Sequence, residues 1–194
     1  MMITRIRTLS AALLTCGLAF PAAADWSIDG ETSVLHFLST KNAQVTEIHK
    51  FDSFEGSLSD SGKLSVAVDL SSVNTAIDIR NERMQEMLFN VTKFAQATFE
   101  ASLPESMMNL QTGDVVNGKV NGILTLHGKA VPTSFSVQAS KVSDDTLSVS
   151  TTAPTLIKAE SFGLADGVAA LQKIAGLESI TTTVPVTFSV TFEQ

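Results

Sequence analysis

The chain has 194 residues, is 44% hydrophobic and carries a formal charge of −7. That length suits one domain with a sizeable core. The acidic balance, with basic residues no more clustered than Arg80 and Arg83, gives neither the electrostatic footprint of a nucleic-acid binder nor a polybasic membrane anchor.

Arg5 and Arg7 precede an apolar run over residues 9–20, and Ala22-Ala23-Ala24 then supplies an A-x-A cleavage site before Asp25. This is the pattern of a cleavable export signal. The run is too short to span a bilayer, which takes about twenty apolar residues. Cys16, the only cysteine, offers a rival site for lipidation, but Thr15 precedes it and apolar residues continue to Phe20, so cleavage after Ala24 fits better. The exported chain then has no thiol, in a compartment that permits disulfides, and its fold rests on its core.

Beyond Asp25 there is no linker or low-complexity tract, and strand patterns recur at residues 32–40, 45–51, 54–58, 63–70, 97–103, 115–126, 131–141, 146–152 and 181–192. Asp60-Ser61-Gly62, Asn117-Gly118, Gly128-Lys129 and Ser143-Asp144-Asp145 supply turn chemistry. The last strand has the cleanest period: Val184, Val186, Phe188, Val190 and Phe192 take one face and polar residues or Pro185 the other. Many short strands at this spacing predict an all-β fold, a sandwich or barrel. Two segments break the pattern. Met84, Met87, Leu88 and Val91 fall at helical spacing within residues 77–91, and Val168, Leu171 and Ile174 do so between Gly167 and Gly176. Such helices pack against a core or, when rich in methionine, form adaptable ligand walls.

Chemistry-bearing motifs are sparse. There is no G-x-S-x-G, P-loop, dinucleotide fingerprint or C-x-x-C-H, and His36, His49 and His127 lack zinc-ligand spacing, so neither metal, cofactor nor catalytic residues are expected.

Several phrases together resemble the YceI family of lipocalin-like, polyisoprenoid-binding proteins. They are Trp26-Ser27-Ile28-Asp29 with Ser33-Val34-Leu35-His36-Phe37, then Phe51-Asp52-Ser53-Phe54-Glu55-Gly56, and then Arg80-Asn81-Glu82-Arg83-Met84 with Leu88-Phe89-Asn90-Val91. Gly122-Ile123-Leu124-Thr125-Leu126-His127-Gly128 and Ser161-Phe162-Gly163-Leu164 follow in the family's order. The chain departs from the family pattern at Thr32, where a histidine is usual, at His49, where a glycine precedes the bend, and at Asn81, where an acid follows the arginine. The connection over residues 165–176 is also longer.

The resemblance implies an antiparallel lipocalin-like barrel of about eight strands with one or two short helices, residing in the periplasm. Such a barrel has room for one small ligand. The implied activity is non-enzymatic binding of a polyisoprenoid, a quinone-like molecule or another long-chain amphiphile, for transport, storage or sequestration. The residues in phase with buried faces are the expected lining: Leu35, Phe37, Val66, Val68, Met84, Met87, Leu88, Phe99, Leu124, Leu126, Phe135, Val137, Val186 and Phe188. Transient membrane contact during exchange and a homodimer through exposed strand edges are compatible with this reading. Two alternatives stand beside it: a solid barrel acting as a partner-binding or stress-response module, and a lipid- or quinone-modifying enzyme whose histidines would have to converge with an acid.

Overall fold

A computed structural model describes residues 25–194. The expected export signal, with Arg5, Arg7 and Cys16, lies outside the described residues. The strands are β1 (Trp26–Lys41), β2 (Val45–Phe51), β3 (Phe54–Leu58), β4 (Lys63–Asp69), β5 (Val73–Asn74), β6 (Gln96–Ser102), β7 (Val115–Leu126), β8 (Lys129–Ser143), β9 (Thr146–Thr151), β10 (Thr155–Lys158) and β11 (Thr183–Glu193). Helix α1 (Asp78–Arg83) runs into a π-helical turn, Met84–Phe89, while α2 (Glu105–Met108) is a single turn and α3 (Ala165–Ile174) the longest helix.

Eight of these strands close a ring in the order β1, β11, β9, β8, β7, β6, β4, β3 and back to β1, every pairing antiparallel. Closure removes sheet edges along the cylinder. The remaining strands extend the wall at one end. There β2, which precedes the Asp52-Ser53 bend, pairs with the second half of β1, β5 adds to β2, and β10 lies beside β11. This is the helix-covered end, because the π turn and α3 pack there against Phe37, Phe51, Leu70 and Val73, with α1 lying beside β5.

Three sequence expectations shift. β1 begins at Trp26, six residues before the predicted start, because a bulge between Asp29 and Val34 interrupts its alternation. The bulge is held locally: the Asp29 carboxylate accepts from Glu31 N–H at 2.9 Å and Thr32 Oγ1 at 2.6 Å. Ser33 Oγ then accepts Thr191 N–H at 3.0 Å, bridging to β11 beside the bulge. Second, Asn117-Gly118 is no turn but lies inside β7, where Gly118 leaves room for Met107. Third, the β7–β8 loop is His127-Gly128, one residue earlier than predicted. Both residues have positive φ, 51° and 72°, as a two-residue type I′ hairpin requires.

Gly122 in β7 serves packing. A Cβ there would strike the Phe99 ring and the Glu100 carbonyl, so the missing side chain lets β6 and β7 close over Phe99. Between β8 and β10 the wall is thin. β8 pairs with β9 only from Val137 onward, and below that point the crossing bonds are Thr152 N–H to the Ser136 carbonyl, 2.9 Å, and Thr155 Oγ1 to the Ser134 carbonyl, 3.2 Å. Pro132, which has no N–H to leave unpaired, occupies this seam.

Candidate functional site

The inward faces of the barrel do not fill it. A cavity of about 270 Å³ runs from Leu58, Met107 and Phe192 at the α2 end to Met84, Leu88 and Val168 under the helices, and its lining presents no polar surface. Alternation explains the wall. Residues two apart along each strand share a face, so Val66 with Val68, Leu124 with Leu126 and Phe135 with Val137 enter as pairs.

Of the residues expected in the lining, Leu35, Phe37, Val66, Val68, Met84, Leu88, Phe99, Leu124, Leu126, Phe135, Val137, Val186 and Phe188 all border the cavity. Met87 does not. It is 37% exposed on the outer side of the π turn. The prediction assumed α-helical spacing, whereas i→i+5 winding is wider, and it brings Met84, Leu88 and Phe89 to the cavity while turning Met87 outward. Phe89 was therefore missed. Leu64, Val190 and Phe192 were also missed, although they continue the alternation of Val66, Val68, Val186 and Phe188 and were legible by parity alone. Ile157 was missed because β10 is only four residues long and gives no periodic signal.

Aromatic rings cross the middle of the cavity. Phe135 meets Phe99 and Phe188 edge-on, with centroids 5.0 Å and 5.5 Å away. A solid barrel would need such contacts with no space left; here the contacts and the cavity coexist. An outer groove lies over the β8–β10 seam, and Ile157 borders both it and the inner cavity.

The three histidines do not converge. His127 is the first residue of the hairpin loop; its ring packs 4.4 Å from that of Phe94, and its Nδ1–H donates to the Phe162 carbonyl at 3.3 Å. His36 pairs across the ladder with Lys50 and Thr187. His49 is buried on β2, with Nε2 3.0 Å from Ser39 Oγ. Near it, Glu47 Oε2 receives Lys41 Nζ at 2.8 Å and Arg80 Nη1 at 2.9 Å. The Lys41 hydrogen bond, with Arg80 beside it, holds the Glu47 carboxyl below its ordinary value. Burial and then the Arg80 charge push His49 down, so its imidazole is neutral at pH 7. Among the described residues no group of three or more His, Cys, Asp or Glu side chains is placed to hold a metal ion, and no helix is long and apolar enough to cross a membrane.

An eight-stranded antiparallel barrel around an apolar chamber places the chain among lipocalin-like barrel proteins. More narrowly, the YceI-like domain model matches residues 26–192, and the chain belongs to the YceI family. A polyisoprenoid binding domain from Saccharophagus degradans, implicated in plant cell wall breakdown, is 34% identical with a TM-score of 0.83, the match covering 87% of this chain and 97% of that one. Burkholderia cenocepacia BcnA, at 20% identity and TM-score 0.66 over 84% and 98% of the two chains, shares the fold. So does the Campylobacter jejuni YCEI protein, at 14% and 0.53 over 98% and 99%. No curated protein matches the chain.

Proposed function

We propose that this protein binds a long-chain isoprenoid, or an amphiphile of similar shape, inside the barrel without chemically changing it, and that it carries or stores that lipid in the periplasm. The observation that carries this reading is the cavity with no polar surface. Each buried methylene contributes about 0.8 kcal/mol, so a prenyl tail gains affinity there without a charged anchor, up to the limits set by ordering costs. The relative from Saccharophagus degradans supports an isoprenoid over other apolar ligands. A quinone-like molecule belongs to the same class.

The cavity of about 270 Å³ is just below the usual range for small-molecule sites, about 300–1,000 Å³. A full-length polyprenyl chain therefore requires the wall or the helical cover to yield. The export signal over residues 1–24, with cleavage before Asp25, supports the periplasmic assignment.

The test is to purify the protein from its native compartment, extract it with organic solvent and identify bound lipids by mass spectrometry. A prenyl lipid at near-stoichiometric amount is the expected result. Protein that is repeatedly empty, and that takes up no prenyl lipid from vesicles, overturns the reading.

A further inference from the structure

The inner wall formed by β1 and β2 changes character along its length. Leu35 stands opposite Phe51, Phe37 opposite His49, and Ser39 opposite Glu47, with Lys41 one step further. Cross-strand partners and residues two apart share one face of a sheet, so all these side chains lie on the face that carries the cavity-lining Leu35, Phe37 and Phe51. The wall is thus apolar up to Phe37 and polar from His49 onward. His49 lies immediately beyond the lining, its ring 5.2 Å from that of Phe37.

Helix α1 completes the polar end. Arg80 donates from Nη1 to Glu47 at 2.9 Å and from Nη2 to the Thr75 carbonyl at 2.6 Å. These bonds leave two buried nitrogens, His49 Nδ1 and Arg80 Nε, with no hydrogen-bond partner among the described residues. His49 is only 4% exposed. A buried polar atom without a partner costs about 1–3 kcal/mol, more when charged, and native folds rarely keep one without a use for it. Here two occur in one cluster, close enough that the Arg80 charge acts on the imidazole, and at the end of an apolar chamber.

The chemistry they would recognise follows from their protonation. Arg80 Nε–H is always a donor. The neutral His49 ring keeps one proton; in the tautomer in which Ser39 Oγ–H donates to Nε2, that proton sits on Nδ1 and gives a second donor. Lys41 and Arg80 against the single carboxylate of Glu47 leave one net positive charge. Two donors and a net positive field suit an oxygen acceptor.

We propose that His49 Nδ1 and Arg80 Nε hold the polar head of the barrel's lipid, an acceptor oxygen belonging to a carbonyl or a phosphate, with the tail running toward Leu58 and Phe192. This rests on the lipid-binding reading above and adds to it a binding direction and a head-group chemistry.

Three probes sharing one geranylgeranyl chain test it: one ends in a phosphate, one in a methyl ketone, and one is the hydrocarbon with no oxygen. The native protein is expected to prefer at least one oxygen-ended probe over the hydrocarbon by about tenfold, roughly 1.4 kcal/mol. His49→Phe and, separately, Arg80→Lys should bring that ratio toward one. Because the readout is a ratio within each variant, any variant that still binds the hydrocarbon is its own folding control. The phosphate-to-ketone ratio separates an anionic head from a neutral one. Equal binding of all three probes by the native protein, or an unchanged ratio in a folded variant, overturns the head-group site while leaving the carrier reading intact. Failure of the native protein to bind any probe overturns both.

Discussion

Phe37 and His49 face each other across the β1–β2 ladder with ring centroids 5.2 Å apart, and the inner wall turns from apolar to polar between them. One ring borders the cavity; the other hydrogen-bonds Ser39 and lies in the field of Arg80, Glu47 and Lys41.

That placement makes stability depend on pH. Burial, then Arg80, with Lys41 adding to them and Glu47 opposing, hold His49 below its ordinary value. When the folded value is the lower one, the unfolded chain takes up the proton first on acidification. The stabilisation is then complete above about pH 6.5, the unfolded histidine value, and is lost as pH falls through the folded value. Melting temperature should drop as pH falls below about 6.5, and His49→Phe should flatten that slope. Glu47, whose value is lowered from 4.5, adds its own loss only as pH falls below about 4.5, which the His49 variant should retain.

Filling the cavity should abolish lipid uptake while preserving the fold. Val66 borders the chamber, and Val66→Phe inserts a ring into that space at a cost of about 1–3 kcal/mol or less. Lipid extracted per mole of protein should fall by an order of magnitude, with an unchanged far-ultraviolet circular dichroism spectrum.

Asn81 organises the start of α1. Its Oδ1 accepts Thr75 N–H at 2.9 Å and Thr75 Oγ1 at 2.6 Å. Asn81→Leu strands the N–H of the buried Thr75 and leaves its hydroxyl only the Ile77 carbonyl at 3.4 Å, and should cost about 1–3 kcal/mol. Asn81→Asp supplies a stronger acceptor and should keep the native urea midpoint or raise it. In urea denaturation the Asn81→Leu midpoint should fall below the native one while that of Asn81→Asp does not.

Gly167 sets the approach of α3 to the π turn. A Cβ there would lie 2.8 Å from the Met87 carbonyl oxygen and 2.9 Å from Leu88 Cα, both backbone atoms that cannot rotate aside. Gly167→Ala should therefore push the cover apart, costing about 1–3 kcal/mol despite the better helix propensity of alanine. Amide exchange in residues 84–89 should accelerate, while exchange in β7 and β8 stays slow.

What the sequence revealed followed its periodicity. The bounds of Val45–Phe51, Phe54–Leu58 and Val115–Leu126 were legible because each is a regular alternation ended by a turn or bend. Met87 was misplaced because the sequence does not distinguish an α from a π turn when both carry the same apolar residues. β5 and β10 are two and four residues long and form only as additions to neighbours already in place. The polar end of the chamber was hidden for a different reason. Ser39, His49 and Arg80 come from three separate segments, and only the strand register and the packing of α1 bring them together.

The seam between β8 and β10 gives the cylinder a direction of give. The contrast is with the β7–β8 ladder, whose strands share twelve consecutive residue pairs. Across the seam the links are one main-chain bond and one threonine hydroxyl, with Ile157 as the panel between chamber and outer groove. Parting here breaks only those two links. A barrel whose resting chamber is smaller than a prenyl chain can thus gain girth by parting one weak joint, leaving the ladders that define its shape intact.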